Sequence, residues 1–329
     1  MMGWRDFHAH QGTDGHAPSG SRWYLVALFG GLLAGLATLG AFYGGLQLAG
    51  QLPPPPLSNS VCVDEKLVFL RNHPIGEPNL LIIGSSVAWR NFNSSVVVRD
   101  VRGAKPLNGG FCGLRIHQSA FIADWLIEHA PSVREVLLMA SPIDFKDCDF
   151  PGTLFDHEDV DRFVFERAPM WSFYLRYFDP ISLARNIERQ QKGLAEARAM
   201  GFSIEFTEYG DGPIDTDQDR GLFYGPMQPP QDACLTALRE LAERLQGEGR
   251  RFMVMTTPLH PGWKDAYDPD GAFTRDLISR IAAALDGTGA EVWDASYAVL
   301  GPAAFTDAIH VRWSATDELT EAILLRFPL

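Results

Sequence analysis

The most constraining feature of the sequence is an uncharged run at residues 23–48, rich in Leu, Ala, Gly and Phe. As a helix rising about 1.5 Å per residue, this run is long enough to cross a hydrocarbon core of roughly 30 Å. Trp23, Tyr24 and Tyr43 lie toward its ends, as interfacial aromatic residues often do. A cleaved signal peptide is the alternative, but its apolar region usually has only about 7 to 15 residues. The run therefore predicts a retained transmembrane anchor.

The net charge of the chain lies beyond this run. The formal net charge is −13, and within residues 1–22 the positive Arg5 and Arg22 are balanced by two aspartates. An acidic domain repels the phosphates of nucleic acid, so we expect no nucleic acid partner. Two arginines before the span, against Lys66 and Arg71 farther behind it, favour a cytoplasmic N-terminus. We therefore expect a single-pass membrane protein with its globular part outside, in the periplasm or another extracytoplasmic space.

The segments on either side of the anchor are predicted to be connections. The tail, residues 1–22, contains His8, His10 and His16. Without a Cys or carboxylate cluster at ligand spacing, these histidines are more typical of a disordered cytoplasmic segment than of a metal site, and we expect no metal and no cofactor. Residues 49–78 include four consecutive prolines and are predicted to be a spacer and lead-in that holds a domain off the membrane.

From residue 79 onward, short apolar strands alternate with helical patterns. The predicted strands are apolar on both faces, as buried parallel strands are, and lie at 79–83, 135–140, 251–256 and 290–294. Apolar residues recur with helical spacing at 116–128, 232–246, 273–285 and 314–325. The alternation predicts one α/β domain over residues 79–329, with a three-layer, flavodoxin-like parallel sheet and helices on both faces.

Residues 147–231 interrupt this alternation and are predicted to be an insertion. They contain many acidic and aromatic residues, a helical pattern at 181–200 and turn-rich sequence at 209–219. Long excursions from compact domains are often functional lids, but they also occur as surface decoration. Both interpretations, a cap over the site and a surface excursion, fit the sequence.

Small and polar residues follow the predicted strands, at the sheet edge where α/β proteins bind ligands. These residues fall in five segments, 84–86, 108–113, 141–144, 257–260 and 307–310. Because the carboxyl ends of parallel strands meet at one edge, we expect a functional site there.

Three of these residues are the types that make a nucleophilic serine. A serine hydroxyl is a weak nucleophile at neutral pH, so it needs a base within hydrogen-bond reach and a group that orients the base. Asp307 and His310, three residues apart before the last predicted helix, can lie side by side with the imidazole facing Ser86. The backbone N–H groups of Ser86 and Gly113 are the donors that an acyl-transfer oxyanion requires. Each motif alone also fits a helix cap or a local hydrogen bond, but their order and placement favour the catalytic interpretation.

The same motifs resemble those of the SGNH/GDSL hydrolase superfamily. That family has a strand followed by Gly-Asp-Ser, then Asn-x-x-x-x-Gly, then Asp-x-x-His before its terminal helix. The corresponding segments here are 84–86, 108–113 and 307–310, and the resemblance covers about residues 79–327. Ser85 stands where many members have Asp. A Gly-(Ser/Thr)-Ser variant is familiar in membrane-tethered branches that modify cell-envelope polymers.

The resemblance implies a role for each matching residue. Ser86 corresponds to the nucleophile, His310 to the base, Asp307 to the residue that orients the base, and Gly113 to an oxyanion donor. The implied activity is the removal or transfer of an acyl group through an acyl-serine intermediate.

The third block of the family is altered in this chain. Members have Gly-x-Asn-Asp, whose Asn is another oxyanion donor, whereas this chain has Ala-Ser-Pro-Ile-Asp at 140–144. Either Ser141 substitutes as a donor or the oxyanion hole has only two donors. Loss of one donor typically costs about 100- to 1000-fold in turnover. A slow hydrolase, a transferase with a dedicated acyl donor and an inactive relative all remain compatible with the sequence.

Other residues at this edge are candidates for contact with substrate or for disulfides. Asn108, Gly110 and His260 are predicted to line the acyl or sugar pocket, although a loop histidine in a turn is the simpler interpretation of His260. The four cysteines include no CxxC pair and allow three pairings. Cys112 and Cys148 fall near the same edge, so a disulfide between these two is the first expectation.

Two functions follow from these observations. The leading hypothesis is a serine-dependent O-acyl esterase or O-acyltransferase acting on a cell-envelope glycan, with an acylated or acceptor polysaccharide as substrate. Its anchor, residues 23–48, contains glycines at every fourth position that allow close approach of another helix, such as one of a multi-spanning acyl-donor membrane protein. The alternative is a catalytically silent binding or scaffold module that keeps the fold.

Overall fold

The computed structural model describes residues 19–329 apart from residues 178, 180, 182, 184, 189, 190, 193, 194, 196–203, 215, 217, 223 and 299. The tail histidines His8, His10 and His16, and much of the helix predicted at 181–200, lie outside the described residues. Contacts between Cα atoms divide the chain into two units, one ending at Leu52 and the other spanning Pro53–Leu329.

The first unit contains one long helix, α1 (Ser19–Leu48). Between residues 23 and 48 it is apolar on all sides, and side chains such as Trp23 and Leu33 are exposed. Apolar side chains on every face of an unburied helix need an apolar surrounding. Within the described part of the chain, α1 is the one helix long and apolar enough to cross a membrane, and it fits single-pass anchoring.

The second unit is built on a five-stranded parallel sheet. Its strands are β1 (Leu80–Gly84), β2 (Pro106–Asn108), β3 (Glu135–Ala140), β4 (Arg251–Thr256) and β5 (Glu291–Trp293). They lie in the order β2-β1-β3-β4-β5, and every neighbouring pair is parallel. This order is that of flavodoxin-like folds and confirms the predicted fold class.

Helices cover both faces of this sheet. Those described in the second unit are α2 (Val61–Asn72), α3 (Ser86–Arg90), α4 (Ser94–Asp100), α5 (Ile116–His129), α6 (His157–Val164), α7 (Met170–Arg176), α8 (Asp232–Gly247), α9 (Pro261–Tyr267), α10 (Ala272–Leu285) and α11 (Trp313–Arg326). Leu81 and Ile83 of β1 face a core shared with α2, α5, α8 and α10. Leu80 and Ile82 face the opposite core, shared with α3, α4 and α11. Strand side chains alternate between faces, so a strand that is apolar throughout buries both surfaces, as predicted.

Part of the predicted spacer folds into the domain. The segment 49–78 contains α2, whose Val63, Leu67 and Leu70 are buried in the core at helical spacing. Because these side chains complete the layer over the sheet, the second unit begins at Pro53 and not at the first strand.

The insertion also packs onto the domain. Phe155 forms an isolated antiparallel bridge with Ser58, and Phe163 of α6 is buried in the same core as α2. In α7, the hydroxyl of Tyr174 donates to the carbonyl of Pro53 at 2.6 Å. These three residues of the insertion therefore pack onto the domain.

Two disulfides connect these parts, and the predicted pairing of Cys112 with Cys148 is wrong. Cys62 bonds to Cys112 with their Cα atoms 6.1 Å apart, and Cys148 bonds to Cys234 with a Cα separation of 5.2 Å. Cys62 lies on α2, which packs beside the loop after β2, whereas Cys148 faces α8. The predicted pairing differs because Cys62 lies in the segment predicted to be a spacer, whereas in the structure that segment contains α2.

A pair of double variants tests this connectivity. Replacing Cys62 and Cys112 with serine removes one disulfide and is expected to lower the free energy of unfolding by about 2 to 4 kcal/mol. Replacing Cys112 and Cys148 breaks both disulfides and is expected to lower it by roughly twice as much. Urea unfolding of the full-length protein in detergent measures the difference. Equal losses in the two variants would contradict the observed pairing.

A lysine is buried between α2 and the insertion. Lys66 is 1% exposed, and its Nζ donates to the carbonyl of Gly210 at 2.6 Å. The rings of Phe69 and Phe206 lie 5.3 and 5.1 Å from the same nitrogen. Burial lowers the pKa of Lys66 to about 7, although the carboxylate of Asp211 acts in the opposite direction. Burial therefore disfavours the charged form of Lys66 in the folded domain.

Replacing Lys66 with methionine is expected to change how stability depends on pH. Unfolded Lys66 holds its proton up to about pH 10.5 and folded Lys66 only up to about pH 7, so the wild type loses stability as the pH falls between these values. Methionine does not titrate. The stability of Lys66→Met relative to wild type should therefore rise by about 1 to 3 kcal/mol from pH 9 to pH 7, as measured by urea unfolding. Parallel stability curves for the two proteins would show that Lys66 has the same pKa in both states and would refute the lowered pKa.

Candidate active site

The candidate site lies at the carboxyl edge of the parallel sheet. Ser86 begins α3 directly after β1, and Gly113 lies in the loop between β2 and α5. Asp307 and His310 stand in the turn before α11. These are the positions at which α/β sheets bind ligands, and the structure brings the four residues together there as the motifs predict.

Ser86, His310 and Asp307 form an unbroken chain of hydrogen bonds. The Oγ of Ser86 lies 2.9 Å from Nε2 of His310, and Nδ1 of His310 lies 2.8 Å from Oδ2 of Asp307. An ionised carboxylate only accepts, so Nδ1 carries the proton and the lone pair of Nε2 faces the serine hydroxyl. Asp307 is fully buried and His310 is 4% exposed, whereas Ser86 is only partly buried. The arrangement suits transfer of the serine proton to His310.

The carboxylate of Asp307 is held by the backbone around it. Its Oδ1 accepts hydrogen bonds from the N–H groups of Ile309 at 3.0 Å and His310 at 2.9 Å. Nη1 of Arg220 lies 3.5 Å from Oδ2. Burial acts to raise the pKa of Asp307, but His310 and these backbone donors outweigh it and hold the pKa below its ordinary value. Asp307 therefore remains ionised and keeps His310 oriented.

Short-range backbone hydrogen bonds shape the turn that presents His310. The N–H of Thr306 donates to the carbonyl of His310 at 2.9 Å, and Phe305 and Val311 form an antiparallel bridge. These contacts close residues 305–311 into a tight loop. The spacing of three residues between Asp307 and His310 then places both side chains on the same side of the turn.

Two backbone N–H groups are available to an oxyanion. Ser86 is the first residue of α3, so its N–H has no acceptor within the helix. Gly113 has a φ of +66°, a conformation that favours glycine, and a side chain there would meet open space. Both residues line the same pocket. They occupy the positions expected of two oxyanion donors.

The backbone N–H of Ser141 does not join these two donors. It is fully buried, and its N–H donates to Oδ2 of Asp144 at 2.7 Å. The hydroxyl of Ser85 donates to the same oxygen at 2.9 Å. Burial raises the pKa of Asp144 to about 6. Asp144 thus connects Ser85, the residue before Ser86, to the end of β3, and it occupies the N–H of Ser141.

An open pocket of about 340 Å³ contains Ser86. Its lining residues are Ser86, Gly113, Arg115, Pro142, Ile143, Asp144, Lys146, Tyr224, Pro226, Met227 and Gln228. The last four belong to the insertion, so part of the insertion forms a wall of the pocket. This placement favours the cap over the surface excursion as the role of that part of the insertion.

Sequence reasoning missed two residues of the insertion that lie near the triad. Arg220 contacts Asp307 as described above, and the ring of Tyr224 lies 6.2 Å from that of His310. Burial, assisted by the negative charge of Asp307, raises the pKa of Tyr224 above its ordinary value, so the phenol is neutral. Neither residue belongs to a motif or a periodic pattern, and only the fold brings them to the site.

The three predicted pocket residues have structural positions instead. The side chain of Asn108 is fully buried and donates to Oδ1 of Asp211 at 2.8 Å and to the carbonyl of Ala88 at 2.9 Å. A side chain at Gly110 would collide with the backbone nitrogen of Trp89, only 2.6 Å from the added Cβ. Both residues therefore pack against α3.

His260 likewise supports the site without lining the pocket. Its Nδ1 accepts a hydrogen bond from the N–H of Gly262 at 2.9 Å and caps α9. Its own N–H donates to the carbonyl of Ala308 at 2.9 Å, within the turn that carries His310. Among the residues that the structure describes, no group of three or more His, Cys, Asp or Glu side chains is placed to hold a metal ion.

Comparisons with known proteins give distant similarities only. No family model and no curated protein matches the sequence. The chain is similar to the structure of a candidate arylesterase from Agrobacterium tumefaciens, with 14% identity, a TM-score of 0.39, and coverage of 75% of this chain and 97% of that one. It is also similar to a carbohydrate acetylesterase family member from Sinorhizobium meliloti, with 10% identity, a TM-score of 0.33, and coverage of 77% and 100%. A function for this chain must therefore come from the geometry of its own site.

Proposed function

We propose that this chain is a membrane-anchored, serine-dependent O-acyl esterase or O-acyltransferase that works through an acyl-Ser86 intermediate. The observation that supports it is the unbroken chain of hydrogen bonds from Ser86 through His310 to Asp307, with Ser86 exposed to an open pocket. A buried carboxylate, an imidazole and a partly exposed serine in this order are what nucleophilic catalysis by serine requires.

The proposed reaction has two halves. In the first, Oγ of Ser86 attacks the carbonyl carbon of an ester while His310 takes the hydroxyl proton. The oxyanion that forms is stabilised by the N–H groups of Ser86 and Gly113, and the bond to the alcohol breaks as His310 returns the proton to the leaving oxygen. In the second half, water or a sugar hydroxyl attacks the acyl-Ser86 ester by the same proton path. Water gives an esterase, and a sugar hydroxyl gives a transferase.

The proposed substrate is an O-acyl group, acetyl in the first instance, on a cell-envelope glycan. A pocket of about 340 Å³ that is open to solvent suits a small acyl group on a larger polymer. An anchor at residues 22–48 would keep the domain near envelope polymers, and two disulfides are typical of proteins in an oxidising space outside the cytoplasm. The proposed topology has a cytoplasmic N-terminus and the domain outside. A transferase would also need an acyl donor, for which a multi-spanning membrane protein is the proposed partner.

A silent binding or scaffold module is the second candidate. The observation that favours it is the N–H of Ser141, which is occupied by Asp144 and leaves two backbone donors for the oxyanion. Removing one donor typically costs about 100- to 1000-fold in turnover, so a two-donor site is expected to turn over slowly.

Labelling with a fluorophosphonate separates the two candidates. Full-length protein in detergent is incubated with the reagent and its intact mass is measured. We expect one adduct on wild type and on Ser95→Ala, which removes an exposed serine of α4, and no adduct on Ser86→Ala. No adduct on folded wild type would favour the silent module.

The resolving nucleophile is tested after labelling succeeds. Acyl-Ser86 is formed with p-nitrophenyl acetate, and its decay is followed with and without glycan acceptors. Hydrolysis without glycan acetylation would favour the esterase for the glycans tested, and acetylated glycan would favour the transferase.

A further inference from the structure

A fully buried asparagine connects the helix that carries the nucleophile to the turn that carries the base. Asn91 immediately follows Arg90, the last residue of α3, and is 0% exposed. Its backbone N–H donates to the carbonyl of Val87 at 2.9 Å, which fixes it to the end of this short helix. Its side chain points away from α3 toward residues more than two hundred positions later in the chain.

The side-chain amide of Asn91 holds the backbone on both sides of His310. Its Nδ2 donates to the carbonyl of Ile309 at 2.8 Å. Its Oδ1 accepts a hydrogen bond from the N–H of Val311 at 2.9 Å. One planar side chain therefore contacts the residue before His310 and the residue after it.

A third hydrogen bond connects the side chain of Asn91 to the end of a strand. Nδ2 of Asn91 also donates to Oγ1 of Thr257 at 2.9 Å. Thr257 directly follows β4, is fully buried, and its N–H donates to the carbonyl of Ala140 at the end of β3 at 2.8 Å. Both amide hydrogens and the amide oxygen of Asn91 are thus used, and all three partners lie at the carboxyl edge of the sheet.

The arrangement has a consequence for the separation of Ser86 and His310. These residues lie 224 positions apart in the chain, and their 2.9 Å hydrogen bond requires α3 and the His310 turn to keep a fixed distance. A single hydrogen bond between side chains does not fix the relative position of two backbones. The amide of Asn91 does, because it is attached to one backbone and bonded at two points to the other.

We propose that Asn91 is a positioning residue that fixes the distance between the imidazole of His310 and the hydroxyl of Ser86. The proposal rests on the acyl-serine chemistry proposed above. Asn91 touches neither substrate nor reacting atoms and acts through the backbone of residues 309–311. Misplacement of a base by about 1 Å costs on the order of 100-fold in rate, so loss of this contact should slow acylation without weakening binding.

Asn91→Ala tests the proposal, with Asn93→Ala as a matched control. Asn93 is also a buried asparagine, 7% exposed, but its Nδ2 donates to Asp317 of α11 at 2.7 Å and has no contact with the His310 turn. Full-length proteins in detergent are labelled with a fluorophosphonate over a range of concentrations, well below the unfolding temperature of each variant. We expect Asn91→Ala to lower kinact by about 10- to 100-fold with KI unchanged, and Asn93→Ala to leave both within about twofold. Equal values of kinact in the two variants would overturn the proposal.

Hydrogen exchange at the imidazole C2 of His310 provides a readout that does not depend on activity. Mass spectrometry of full-length protein in deuterated buffer measures this exchange, which is slow for a buried, immobile ring. We expect faster exchange at His310 in Asn91→Ala and an unchanged rate in Asn93→Ala.

If wild type takes no fluorophosphonate but the exchange rates differ as stated, the proposed function fails and the positioning role stands. If labelling of wild type succeeds and neither readout separates the variants, the positioning role fails alone. Should Asn91→Ala not fold, Asn91→Ser, which is too short to bridge Ile309 and Val311, takes its place in both measurements.

Discussion

His310→Ala is expected to slow acylation of Ser86 by about 10⁵- to 10⁶-fold. The imidazole is the one base within hydrogen-bond distance of the hydroxyl among the described residues, at 2.9 Å. Without it, the proton of Ser86 must leave to water, and the leaving alcohol loses its acid. Residual activity would come from the oxyanion donors and binding alone. Stopped-flow release of p-nitrophenol from p-nitrophenyl acetate measures the effect on full-length protein.

His260→Ala is the matched control for this variant. His260 lies at the same edge of the sheet, with its ring 5.4 Å from that of Phe305, but its Nδ1 is used to cap α9. Loss of a cap costs about 1 kcal/mol of stability and should leave the acylation rate within a few-fold. If His310→Ala kept more than about one per cent of the wild-type rate, Ser86 would not depend on this imidazole, and the proposed mechanism would be wrong.

The central strands of the sheet were predictable from local sequence because each contains a continuous apolar run, at residues 80–83, 136–140 and 252–255. β3 and β4 have the predicted bounds, and the helices between strands follow apolar residues at helical spacing. A strand that is buried on both faces needs a parallel sheet covered by helices, so the layer architecture follows from the strands. The short β2 (Pro106–Asn108) was not predicted, since three residues are too few to show a period.

The triad was predictable for two separate reasons. Asp307 and His310 are close in sequence, so one turn brings them together. Ser86 follows a strand, and the carboxyl ends of parallel strands meet at one edge of the sheet, so Ser86 is expected beside other residues that follow strands. Their distances and the tautomer of His310 come only from the folded chain.

The remaining features of the site depend on contacts between distant segments. Tyr224 and Arg220 come from an insertion without a motif, and whether Ser141 acts as a donor depends on where the carboxylate of Asp144 lies. The pairing of Cys62 with Cys112 depends on how α2 packs onto the sheet, which the proline-rich sequence before α2 does not indicate. No local pattern in the sequence marks Asn91, whose partners are far along the chain.

Asp307→Asn is expected to lower the rate of acylation by about 10⁴-fold while the fold is retained. The substitution changes no volume but replaces one oxygen with an N–H₂ group. Oδ1 of Asp307 accepts from two backbone N–H groups, those of Ile309 and His310, so the amide oxygen must take that place. The N–H₂ group is then directed at Nδ1 of His310, from which Oδ2 is 2.8 Å distant in the wild type.

This orientation leaves His310 in the wrong tautomer. A donor facing Nδ1 makes that nitrogen the acceptor and puts the proton on Nε2, which can no longer accept the proton of Ser86. The carboxylate is also no longer present to stabilise the imidazolium that forms during acylation.

Asp294→Asn is the matched control for Asp307→Asn. Asp294 likewise accepts from a backbone N–H, that of Ser296 at 3.0 Å, and lies outside the pocket. Its rate should stay within a few-fold of wild type in the same assay. A loss of less than tenfold in Asp307→Asn, with unchanged stability, would show that the orientation of His310 is set by its backbone contacts, and the contribution of Asn91 would then exceed that of the carboxylate.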